Sequence, residues 1–193
     1  MKVLVVIDMQ NDFIDGALGT PEAQAIVPKV VEKINATDKD TVVIFTKDTH
    51  YEDYLKTQEG ELLPISHCIN GTDGWNIHKD VRAAWLHKEG VCILSKEIFD
   101  IEDNNTIMKE TFGSIQLGEL LKQMDIMQVE VEEIELVGLC TDICVISNAM
   151  IAKAFLPDTK ITVDANCCAG VTPQSHKNAL EAMKMCQINV IGE

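Results

Sequence analysis

Cys144 closes the run Leu136-Val137-Gly138-Leu139-Cys140-Thr141-Asp142-Ile143-Cys144. In it an apolar strand runs out at Gly138, and Thr141 and Asp142, two residues that favour helix N-caps, precede an apolar helix. A thiol in the first turn of a helix sits among unpaired backbone N–H groups at the positive end of the helix dipole. That setting lowers a cysteine pKa and favours the nucleophilic thiolate. It suits a buried structural cysteine equally well, because reactivity needs a base and a cation that the run does not contain. Groups of both kinds stand at the ends of other apolar runs. Asp8 follows Val3–Ile7 directly, and such an acid is a turn residue, a helix cap or a carboxylate with a tuned pKa. Asp12 and Asp15 are ordinary loop acids by comparison. Lys96 and Lys109 lie beyond the third apolar run, and a lysine beside a thiolate would stabilise it.

A second set of residues has the types that bind metals. Asp48 and His50 form an Asp-x-His pair at the end of the second apolar run. Strand side chains alternate with period two, so both project from the same side of an extended segment. His67 follows in the next loop. One carboxylate and two imidazoles with positions left open suit Zn, Fe or Mn used in catalysis. Glu59 or Glu61 could supply a fourth ligand. The same residues also fit a solvated loop with no ion. His78, His87 and His176 lie beside helical segments and carry no assigned role.

The elements that must position these groups follow from hydrophobic periodicity. Short β-branched runs predict strands over Val3–Ile7, Thr41–Phe45, Val91–Leu94, Ile134–Gly138, Lys160–Val163 and Asn189–Ile191. Amphipathic stretches predict helices over Ala23–Asn35, Lys79–His87, Ile115–Lys122, Asp142–Ala154 and Pro173–Met185. Alternating strands and helices imply a three-layer α/β/α architecture around a mostly parallel sheet of about six strands, Rossmann-like in plan. Sites in such sheets lie beyond the carboxyl ends of the strands, which is where Asp8, Asp48 and Cys144 stand. Two irregular stretches interrupt the alternation, residues 47–77 and 95–111. A loop as long as the first is usually functional or disordered, and its His, Cys, Trp, Gly and Pro content argues against disorder.

The chain has 193 residues, a length that suits one domain with a sizeable core. Its formal charge of -15 argues against nucleic-acid and anionic membrane partners and for a small-molecule ligand. Seven cysteines, two of them adjacent, suggest no disulfide framework and point to a reducing cytoplasm. The first apolar run is too short for a signal peptide core and Asp8 interrupts it. No apolar run approaches the ~20 residues that span a bilayer. No G-x-G-x-x-G follows the first strand, where a dinucleotide binder would place it.

Taken in order, these motifs resemble the isochorismatase-like cysteine hydrolases, and within them the nicotinamidase and pyrazinamidase branch. The resemblance rests on Val5-Val6-Ile7-Asp8-Met9-Gln10-Asn11-Asp12-Phe13, Thr46-Lys47-Asp48-Thr49-His50, Pro64 to Thr72, Lys109-Glu110-Thr111-Phe112-Gly113-Ser114, and Gly138 to Val145, and covers essentially the whole chain. It implies a catalytic triad of Asp8, Lys109 and Cys144. It implies one divalent metal, Zn or else Fe or Mn, on Asp48, His50 and His67, with Glu59 as the matching fourth carboxylate. A non-proline cis peptide between Leu139 and Cys140 is expected too. The Cys140 and Cys144 N–H groups would then form the oxyanion hole, and Phe13 and Leu139 would flank the substrate. The implied activity is hydrolysis of nicotinamide to nicotinate and ammonia in NAD salvage, by a cytoplasmic homo-oligomer. A sibling hydrolase of another small amide or carbamoyl compound, and a non-enzymatic α/β binding module, are the competing readings. Three departures bear on the pocket walls. A tryptophan usual before the second metal histidine is replaced by Leu62-Leu63-Pro64, the segment after the nucleophile reads Ile146-Ser147-Asn148-Ala149, and Phe112-Gly113-Ser114 follows the lysine.

Overall fold

The computed structural model describes residues 1–88, 92–94, 105–127 and 131–193. Along the chain run β1 (Lys2–Ile7), α1 (Asn11–Ile14), α2 (Pro21–Ala36), β2 (Thr41–Asp48), a 3-10 turn (Tyr54–Lys56), α3 (Gln58–Leu62) and α4 (Lys79–Leu86). Then follow β3 (Thr106–Lys109), α5 (Ile115–Ile126), β4 (Glu133–Leu139), a π-helical turn (Thr141–Val145), α6 (Ile146–Phe155), β5 (Lys160–Ala169), α7 (Pro173–Met185) and β6 (Asn189–Ile191). The six strands form one parallel sheet in the order β3-β2-β1-β4-β5-β6. Strand order therefore reverses between β1 and β4, and a crevice opens at their carboxyl ends.

A strand buried on both faces reads as a continuous apolar run, and β1 does so. Its Val3, Val5 and Ile7 join a core with Leu117, Leu121 and Met183 of α5 and α7. Its Leu4 and Val6 face the other way, onto Ile26, Val30 and Trp85 of α2 and α4. Each such side chain contributes about 1.5–3 kcal/mol when fully buried, so both helical layers are held by the sheet. Among the described residues no helix is long and apolar enough to cross a membrane.

The architecture is the one the periodicity predicts, with two corrections. The third strand is not Val91–Leu94. Val91 lies outside the described residues, Cys92–Leu94 has no regular structure, and β2 pairs instead with Thr106–Lys109. Asn105 explains the exchange. Its amide donates to the Val43 and Cys92 carbonyls at 2.9 and 2.8 Å and accepts from the Leu94 N–H at 2.8 Å, so Cys92–Leu94 is held by a side chain rather than by a strand ladder. Second, the stretch after the second apolar run is more ordered than an irregular loop. β2 continues through Asp48, with every residue buried, and the loop contains α3, whose N-cap Thr57 accepts from the Gly60 N–H at 3.0 Å. The remaining differences are at element ends. α2 starts two residues early because Thr20 caps it and Pro21 fits its first turn, and α5 runs on to Ile126.

Candidate active site

The carboxyl ends of β1, β2, β3 and the turn after β4 converge on one point. Asp8 leaves β1 with φ 45 and is fully buried; an aspartate tolerates that left-handed conformation better than most residues. Gly138, with φ 119, allows β4 to approach there, since a Cβ at that position would collide with the Ile7 carbonyl. The Asp8 N–H donates to Thr46 Oγ1 at 3.2 Å, and the Thr46 hydroxyl donates back to Asp8 Oδ1 at 2.7 Å. Lys109 ends β3, opposite Asp48 in the parallel register. Its ammonium touches Asp8 Oδ2 at 2.7 Å, Asp48 Oδ1 at 3.1 Å and Cys144 Sγ at 3.5 Å. Lys96, the other lysine candidate, lies outside the described residues.

Cys144 lies in a π-helical turn rather than at a regular helix start, and single π turns in helices are frequent at functional sites. The Cys140 carbonyl accepts from the Ile143 and Val145 N–H groups at 3.1 and 3.0 Å, and the Leu139–Cys140 peptide is cis. Asn148, fully buried, fastens the turn. It donates to the Cys144 carbonyl at 2.8 Å and the Phe112 carbonyl at 3.1 Å, and accepts the Ser114 N–H at 2.9 Å. Burial pushes the Cys144 thiol well above its ordinary value despite Lys109. This corrects the expectation of a lowered pKa from the helix dipole: the resting sulfur is a thiol that needs a base. Burial raises Asp8 as well, against the pull of Lys109. Lys109 is held protonated: burial opposes its charge, but Asp8, Cys144 and Asp48 together outweigh it.

Beside the lysine, Asp48, His50, Glu59 and His67 each bring a ligand atom to one place, all within 4.8 Å of one another. Their fit to a cation is visible in three ways. The His67 Nδ1 lies 2.8 Å from the Ile65 carbonyl, which only accepts, so Nδ1 carries the proton and Nε2 offers its lone pair to the cluster. The His50 Nε2 is buried without a hydrogen bond, although Asp48 Oδ2 is 3.0 Å away, so a ring nitrogen of ligand type is left without a hydrogen bond in the cluster. Glu59 is pushed up by burial and by the Asp48 carboxylate, against the pull of His50, His67 and Lys109, so two carboxylates share one site. Glu59 comes from α3, whereas Glu61 is exposed and outside the cluster, which decides between the two candidates.

Several supports had no signal in the sequence. Gln10 brackets Asp48, donating to its carbonyl at 2.8 Å and accepting its N–H at 2.7 Å. Asp12 is more than a loop acid: its carboxylate accepts the Cys68 N–H at 2.7 Å and so anchors the segment bearing His67. Tyr54 packs against both imidazoles, with ring centroids 4.6 and 5.0 Å apart. His176 bonds Thr141 Oγ1 at 2.8 Å, so it is not idle. A cavity of about 320 Å³ opens over Cys144, Asp48, Glu59 and His67, with Phe13, Leu139 and Cys140 among its walls. Apart from Glu61, the candidate catalytic, metal and pocket residues in the described regions line this cavity or belong to the clusters that adjoin it.

The sequence matches the isochorismatase domain family over residues 2–192. It is 26% identical to the nicotinamidase/pyrazinamidase of Mycobacterium tuberculosis, covering 99% of this chain and 98% of that one. Among solved structures it is similar to a nicotinamidase from Bacillus subtilis, at 28% identity, 98% coverage of both chains and a TM-score of 0.75. It is also similar to a pyrazinamidase of Pyrococcus horikoshii in complex with zinc, at 26% identity, coverage of 100% and 99%, and a TM-score of 0.74.

Proposed function

The chain belongs to the isochorismatase family, and from that premise we propose that it is a nicotinamidase, hydrolysing nicotinamide to nicotinate and ammonia through a thioester on Cys144. The observation that carries the reading is the position of Lys109. One ammonium touches the thiol, a candidate base and a carboxylate of the metal-type cluster, beside a single pocket.

In this mechanism Asp8 takes the Cys144 proton as the sulfur attacks the carboxamide carbon, and Lys109 balances the charge that remains. The Cys140 and Cys144 N–H groups hold the oxyanion. The C–N bond breaks, and Asp8 returns the proton to the departing ammonia. Asp8 then takes a proton from water as its oxygen attacks the thioester; nicotinate leaves and the thiol is restored. Asp48, His50, His67 and Glu59 would hold one divalent ion, zinc or else iron or manganese, which would supply a Lewis acid for the pyridine nitrogen of the substrate. Phe13 and Leu139 confine the ring, so that the carboxamide lies over the sulfur. The whole chain acts as one such domain, with 47–77 as its metal-binding loop, in cytoplasmic NAD salvage and as a homo-oligomer. Its charge of -15 keeps it from nucleic acid and anionic membranes.

The test is ammonia release from nicotinamide before and after treatment with a chelator. Release that falls on chelation and returns with zinc is expected. No release from the metal-loaded enzyme would refute the substrate, and release indifferent to chelation would refute the role of the ion.

A further inference from the structure

The cavity is larger and more apolar than a single-ring carboxamide requires. At about 320 Å³ it falls in the range of pockets that enclose drug-sized ligands, about 300–1,000 Å³. Its charged and reactive groups are contiguous: Cys144 touches Lys109, Lys109 touches Asp48, and Asp48 belongs to the cluster with Glu59 and His67. A pyridine carboxamide spends both its polar groups on this side, the ring nitrogen and the amide. The rest of the lining is mostly apolar and includes Leu18, Leu63, Phe112, Ile143 and Val171. Phe112 and Val171 are 44% and 54% exposed, so the apolar wall continues to the mouth of the cavity. Apolar surface left facing solvent at a pocket mouth is best covered by apolar ligand.

Resting on the nicotinamidase reading, we propose that the substrates extend to pyridine-3-carboxamides carrying an apolar substituent at ring position 5. That position is meta to both polar groups, so with those engaged a substituent there extends away from them and meets the apolar part of the lining, to which Leu63 and Val171 belong. The reaction is unchanged: water is consumed, the amide C–N bond is cleaved, and a carboxylate and ammonia form. Each added methylene then gains apolar contact instead of meeting a closed wall.

The experiment compares kcat/KM for nicotinamide and 5-propylnicotinamide on the metal-loaded enzyme and on Leu63→Trp and Val171→Trp. Both positions are partly exposed, so the larger side chain has room to be accommodated on folding. A pocket closed around one ring rejects an extra group by roughly 10–200-fold. The expected result is a propyl-to-nicotinamide ratio in the wild type above about one tenth, falling about tenfold or more in at least one tryptophan variant. A wild-type ratio below about one tenth, or one that neither variant changes, overturns the inference. If nicotinamide is hydrolysed and the propyl compound is not, this inference alone fails. If neither amide releases ammonia, the nicotinamidase reading fails and takes it along.

Discussion

Thr46 shows how a site depends on residues without reactive chemistry of their own. Its hydroxyl both accepts from the Asp8 N–H and donates to the Asp8 carboxylate, and the bond to the carboxylate lowers the pKa that burial raises. Thr46→Val removes that bond. A hydrogen bond to a charged group is worth about 1.5–3 kcal/mol, so kcat is expected to fall by about tenfold or more. With the bond gone, the Asp8 pKa rises further. The acid limb of the kcat/KM profile should therefore move to higher pH, because more alkaline conditions are needed to form the base. An unmoved limb would mean that Asp8 is not the group being titrated. Asp8, Asp48, His50, His67, Lys109 and Cys144 were legible in the sequence because each is a polar residue at or beyond an apolar run. Thr46 and Gln10 stood in the quoted motifs without a role, and Asn148 was a departure, since hydroxyls and amides are common everywhere and what they do depends on partners that only the fold brings near.

The turn that carries Cys144 is held at the level of elements. Asn148 of α6 ties it to the segment after β3, and His176 of α7 ties it through Thr141 to the last helix. Burial depresses the His176 pKa below 6.5. The unfolded chain therefore binds a proton more readily than the folded one, and stability rises with pH across the interval between the two pKa values. Acidifying from pH 7 to pH 5 should lower the Tm, and His176→Asn, which keeps a polar partner for Thr141, should flatten that dependence. A pH dependence identical in the two proteins would remove His176 from the account. Strand prediction failed at β3 for a comparable reason. Thr106–Lys109 has only two apolar residues between a threonine and a lysine, so its pattern is weaker than that of Val91–Leu94, which is apolar throughout. It is a strand because β2 supplies its ladder partners, which periodicity does not report.

At the scale of the molecule, the parallel sheet is what makes the assembly possible. Residues up to 136 positions apart in sequence, Asp8 and Cys144, meet because β1 and β4 are neighbours at the point where strand order reverses. That plan was readable from the alternation of strands and helices. The shape of the pocket was not, because its walls come from α1, α2, the loop after β2 and the segments after β3, β4 and β5. The overall negative charge also suits a neutral amide entering and an anionic carboxylate leaving. The account stands on Cys144 as the nucleophile, and the most direct measurement is ammonia release from nicotinamide by the metal-loaded wild type and by Cys144→Ala, side by side. Release by the wild type and a loss of about a thousandfold or more in the variant is predicted; a variant that keeps near wild-type release would contradict it.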